Sequence, residues 1–277
     1  MIGSEGGRGQ VSVHDHSLRQ FFRLTFLIAW GAGGLALLLG FITHEPWFAP
    51  GSAFFIIAGS GPTLAALIIT ARTGGGAGVR LLLGRFVPAG KSARLYMLGL
   101  LVFAAIATAA WAMTARPERE LLLLVSGSAF LNSLPMRFAL DTGPLGEEAG
   151  WRGFALPRML AFSSPAFASV ALGAVWTLWH VPAFFLPDLP QHRIAFAPFA
   201  LNTIALAVIF TWFYLRSGGD LLLMALLHLL ANLVAGALDL PLWAVACAST
   251  ALAMLAWADP LMRTRPGKVS TQMPLAR

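Results

Sequence analysis

Between Leu18 and Trp257 the chain returns eight times to an apolar run of roughly twenty residues. Wound as helix at about 1.5 Å per residue, a run of that length crosses the ~30 Å hydrocarbon layer of a bilayer. The runs lie at about Leu18–Ile42, Ala53–Ala71, Leu95–Thr114, Leu121–Leu140, Pro165–Leu186, Ala197–Leu215, Leu221–Leu238 and Pro241–Trp257. In lipid the backbone must satisfy its own N–H and C=O groups, which leaves helices or closed barrels. The period-2 alternation of a membrane barrel is absent. The sequence therefore predicts an all-α, polytopic integral membrane protein of about eight transmembrane helices. Composition agrees, with only 11% of residues charged against about 25% in soluble domains.

The cations orient the chain. With the N-terminus inside, sixteen of the nineteen Lys and Arg residues fall in inner segments, and only Arg116, Arg119 and Arg193 fall outside. The positive-inside rule then gives N-in and C-in, as expected for a multi-pass protein of the cell (plasma) membrane. The net charge of +7 is spread over loops and forms no patch for nucleic acid. The partner it implies is membrane lipid, with the glycine-rich, basic stretch Arg72–Arg94 lying against anionic headgroups. Residues 1–17 lack the apolar core of a signal peptide and are expected to be a disordered cytoplasmic tail. Residues 18–260 form one transmembrane domain, with its core of interest at about 121–257. Residues 261–277 form a second cytoplasmic tail, where Pro266-Gly267 opposes further helix. Pro62 is expected to kink the second span. The single cysteine, Cys247, excludes an intrachain disulfide and reads as a packing residue.

Against this background one stretch stands out: Gly146-Glu147-Glu148-Ala149-Gly150-Trp151-Arg152-Gly153-Phe154. A charge at a membrane helix centre costs about 2.5–3.5 kcal/mol, so such a cluster points to function. On a helix Glu148 and Arg152 stand at i and i+4 in the favourable order for an ion pair. Glu147 points about 100° away and is left to face a cavity. The plainer reading is an interfacial charge cluster at a helix end. Two other spans carry intramembrane polar groups: His180 in the fifth, and His228 with Asn232, one turn apart, in the seventh. Each could be no more than a hydrogen bond between helices. Together with Glu147 they make a wet pocket inside the bilayer. A carboxylate can take a proton from water with a histidine positioning it, and His and Asn can donate to an oxyanion. The same Glu147, His180 and His228 could instead ligate zinc and leave a position for water.

Other protease chemistries do not fit. His44-Glu45 is followed by Pro46, Trp47 and Phe48, so the His-Glu-x-x-His zinc pattern is missing. Asp141, Asp239 and Asp259 sit near span ends, and Asp220 follows Gly218-Gly219 as a helix cap. Ser126 and Ser128 read as small packing residues.

Glu147-Glu148-x-x-x-Arg152, continuing as Gly153-Phe154-Ala155-Leu156-Pro157, resembles the first motif of the CPBP intramembrane proteases, the family of the CAAX prenyl endopeptidase and of bacterial Abi proteins. The family's second motif, Phe-x-x-x-His, is matched by Trp176-x-x-x-His180, and its third by His228-x-x-x-Asn232. The resemblance implies an eight-helix fold opening towards the cytoplasm. Glu147 and His180 would activate water, His228 and Asn232 would face the oxyanion, and Glu148 and Arg152 would hold the helix. Trp176 departs from the pattern by adding an N–H group. The resemblance fixes neither a metal nor a substrate. The expected function is an endopeptidase that hydrolyses a peptide bond of a membrane-associated protein or peptide near the cytoplasmic face. The alternative is a non-catalytic membrane immunity or regulatory protein with the same fold. A transporter would show inverted repeats, and none is evident.

Overall fold

A computed structural model describes residues 5–88, 93–114, 142–238 and 240–264, with 135, 136 and 138 as isolated positions. Among them there is no strand. The helices are α1 (Glu5–Thr43), α2 (Ala53–Gly59), α3 (Gly61–Gly84), α4 (Ala93–Ala112) and α5 (Thr142–Glu148). A π-helical segment, Ala149–Ala155, continues α5 into α6 (Leu156–Met159). Then come α7 (Pro165–Trp179), α8 (Phe196–Ser217), α9 (Leu221–Asn232) and α10 (Leu242–Ala258). Among the described residues five helices are long and apolar enough to cross a membrane, and α9 and α10 are shorter apolar helices. Large side chains such as Phe41, Leu101 and Leu255 point outward, as a surface solvated by lipid tails requires. The protein is an all-α, multi-pass membrane protein.

Local chemistry sets the boundaries. The Ser52, Ser164 and Asp220 side chains accept the first-turn N–H groups of α2, α7 and α9. Asp220 is thus a cap, as its position after two glycines suggested. Gly218, at φ 70°, closes α8 in the left-handed region.

Three expectations change. The first helix reaches back to Glu5, through most of the stretch expected to be a disordered tail. Residues 10–30 contain neither proline nor glycine, so nothing there stops the hydrophobic helix from propagating N-terminally. Pro62 does not kink a helix: α2 ends at Gly59, and Pro62 sits in the first turn of α3, where a missing N–H costs nothing. The glycine-rich stretch from Arg72 is helical to Gly84, interrupted only at Gly75 (φ 57°). Leu82 is buried there, and that packing outweighs the glycines' low propensity. Cys247 lies exposed on α10. The expected span Leu121–Leu140 lies outside the described residues apart from isolated positions.

Helix α8 runs through the middle, packed against α7 and α10. The glutamate helix, α5 with its π segment, lies between α3 and α9. It meets α2 and α3 through glycine. A Cβ on Gly146 would come within 3.0 Å of the Gly59 carbonyl, and one on Gly150 within 2.4 Å of Pro62 backbone. Small residues four apart allow this approach of backbones.

Arg85 fixes the far end of that helix. Its guanidinium donates to the Gly153 carbonyl (3.0 Å), to the Gly219 carbonyl (2.9 and 3.1 Å) and to the Tyr214 hydroxyl (2.8 Å). Its own carbonyl accepts the Leu221 N–H. One residue therefore joins the π segment to the turn before α9. Glu147 stands six residues before Gly153, roughly 7–9 Å further along the same helix.

Candidate active site

The two carboxylates of the glutamate helix have different surroundings. Glu148 is fully buried. Its Oε1 accepts Arg152 Nη1 at 2.8 Å and His228 Nδ1 at 2.7 Å. The local pair expected from spacing is present, and it is tied across to α9. Arg152 is also fully buried, and its Nε and Nη2 find no hydrogen-bond acceptor among the described residues. The faces of Trp176 and Phe210, 4.4 and 4.5 Å from the guanidinium carbon, hold the cation instead.

Glu147 is 3% exposed. Its Oε2 accepts two indole N–H groups, from Trp151 at 3.0 Å and Trp176 at 2.6 Å. Trp151 stands one turn on in the same helix and Trp176 comes from α7. Oε1 receives no hydrogen bond among the described residues.

His180 caps the C-terminus of α7, just before Val181-Pro182. Its Nδ1 lies 2.9 Å from the Trp176 carbonyl. A carbonyl only accepts, so Nδ1 carries the proton and Nε2 holds the lone pair in the neutral ring. The ring packs between Trp179 and Phe199, with centroids at 4.6 and 5.1 Å. Trp176 stands between the two histidines, its ring 6.0 Å from His180 and 5.3 Å from His228.

On α9, His228 and Asn232 both reach the start of α5. A Cβ built on Gly143 would lie 2.6 Å from His228 Nε2 and 3.0 Å from Asn232 Nδ2. Only glycine leaves those two groups their space.

The structure thus gathers Glu147, Glu148, Arg152 and His228 in one cluster, with Asn232 beside His228 at Gly143 and His180 joined through Trp176. Sequence reasoning missed Trp151, Gly143 and the donor role of Trp176's N–H. The signals were present: Trp151 is at i+4 from Glu147, and Trp176 adds a donor where the motif has phenylalanine.

The residues do not fit the three-ligand zinc alternative. Among the described residues no three of His, Cys, Asp and Glu stand close enough to hold a metal ion. Two N–H donors occupy Glu147 Oε2, and such donors repel a cation from that oxygen.

Residues 129–234 match the model of a family described as type II CAAX prenyl endopeptidase Rce1-like. A stretch of 106 residues is 31% identical to CAAX prenyl protease 2 of Methanococcus maripaludis, covering 36% of this chain and 39% of that relative. The chain therefore matches well under half the length of that relative. The matched region contains all three motifs, and the likeness to the CAAX protease family lies there.

Proposed function

We propose that the protein is an intramembrane endopeptidase, with Glu147 as the base that activates water. The observation that carries this is the contrast between neighbours: Glu148 is paired with Arg152 and His228, while Glu147 is held only by two neutral indole N–H groups and meets no cation at ion-pair distance among the described residues. A water at Oε1 loses its proton to Glu147 as its oxygen attacks the scissile carbonyl. His180 Nε2 accepts the water's other hydrogen and orients it. His228, as the imidazolium with its Nδ1–H on Glu148, donates through Nε2–H, and Asn232 through its amide N–H, to the carbonyl oxygen as it becomes an oxyanion. When the C–N bond breaks, Glu147 returns the proton to the leaving amine. Glu148 and Arg152 hold the helix that presents Glu147.

The substrate class we propose is a membrane-associated peptide or protein carrying a prenylated C-terminal CAAX sequence, following the relative's name. It would be cut at the cytoplasmic side of the cell (plasma) membrane, where sixteen of nineteen cations lie. The test uses the purified full chain in liposomes. The probes are an internally quenched peptide ending in a farnesylated Cys-aliphatic-aliphatic-X sequence and its unprenylated twin. The wild type is expected to cleave the prenylated peptide. Glu147→Ala, His180→Ala and His228→Ala are each expected to lower the rate by about 10²-fold or more. If all three cleave as well as the wild type, the assignment of these residues fails; if the wild type cleaves neither peptide, the enzyme reading fails and the non-catalytic membrane regulator remains. Equal cleavage of the two peptides would remove prenyl recognition alone.

A further inference from the structure

Trp176 meets four of the residues assigned above. Its N–H is on Glu147, its face on Arg152, its edge on His228, and its carbonyl on His180 Nδ1. We propose that Trp176, together with Trp151, is a positioning residue that selects which oxygen of Glu147 acts as the base. The inference deepens the endopeptidase reading and rests on it.

A carboxylate has two equivalent oxygens that exchange by rotation about its last side-chain bond, a broad two-fold torsion. Here that symmetry is broken. Both donors reach Oε2, and none among the described residues reaches Oε1. The donors come from different elements. Trp151 fixes the carboxylate relative to its own helix, and Trp176 fixes it relative to α7, which ends at His180. Oε1 is then left to the water. Burial makes the constraint strong, because charge-assisted hydrogen bonds gain in a low dielectric.

The arrangement separates the N–H from the rest of Trp176. Phenylalanine there keeps an aromatic face for Arg152 and an edge for His228. The bond to His180 uses the backbone carbonyl and survives any side chain. Trp176→Phe therefore removes one donor and little else, and Trp151→Phe removes the other.

With the farnesylated peptide, kcat is expected to fall about tenfold in Trp176→Phe and in Trp151→Phe, and further in the double variant. KM is expected to stay within about twofold, because the substrate surface is unchanged. Loss of packing would not produce that split. A second readout needs no substrate. In the full chain labelled with 15N-tryptophan in micelles, both indole N–H resonances are expected to move in Glu147→Ala. This decides the matter should Trp176→Phe not fold. Wild-type kcat in the double variant, or indole resonances unmoved by Glu147→Ala, overturns the positioning role. A Glu147→Ala protein that still cleaves at the wild-type rate overturns Glu147 as the base, and a wild type that cleaves no peptide overturns the endopeptidase reading itself.

Discussion

Arg152 is fully buried, and a guanidinium taken out of bulk water needs partners on the protein. Glu148 takes one nitrogen, and Trp176 and Phe210 cover the two faces. The pair does not stabilise by its Coulomb attraction alone, since taking two ions out of water costs several kcal/mol each. Its importance appears when one member is lost. Arg152→Met keeps the volume and leaves Glu148 with His228 as its remaining donor. It is expected to destabilise the protein by about 3–5 kcal/mol, read as a large fall in midpoint by thermal unfolding in detergent. Glu148 with Arg152 was legible in the sequence because an i,i+4 pair is a local fact. The indole donors on Glu147 were less so. A tryptophan in an apolar helix reads as core, and only the fold shows where its N–H points.

Among the elements, the glutamate helix is the most constrained. One face is Gly146 and Gly150, pressed on Gly59 and Pro62, and the other carries Glu147, Glu148, Trp151 and Arg152. A methyl group added at Gly150 has backbone, not a flexible side chain, in its way. Gly150→Ala is therefore expected to push the helix off α3, costing about 1–3 kcal/mol. It is also expected to lower peptide cleavage by about 10²-fold, since an ångström of misplacement is enough. Assaying cleavage at a temperature where the variant remains folded separates the two effects. The sequence delimits α8 and α10 closely, and the starts of α7 and α9, because runs of apolar residues bounded by caps and glycines are local signals; it overruns the ends of α7 and α9, where the apolar run continues past the α-helix. It places α2 and α3 less well. There a proline can kink a helix or open one, and tertiary contact decides which.

Across the whole molecule, a few polar links join helices that lipid alone would not hold together. Arg85 ties the π segment to the turn before α9, 68 and 134 residues away in sequence. That clamp was not legible, because a basic residue in a loop reads first as a topology signal. At the C-terminal end of α10, Asp259 accepts the Leu261 N–H, the Trp212 indole N–H and the Arg216 guanidinium. These donors, the Leu261 backbone first, hold its carboxyl down from the ordinary 3.8 to about 2. A depressed carboxylate contributes stability above its unfolded value and loses it as pH falls through the folded one. Asp259→Asn is therefore expected to melt below the wild type at pH 7. The gap is expected to close between about pH 4 and pH 2, as thermal scans across pH would record. The tie from Glu148 to His228 has a consequence for how the chain is made. The two residues are 80 apart in sequence, so at about 5–20 residues per second the ribosome delivers the second roughly 4–16 s after the first. Through that interval Arg152, only four residues on, is the partner already at hand. The nascent glutamate helix can thus enter the bilayer with the Glu148 charge already matched and wait there for the imidazole that completes the site.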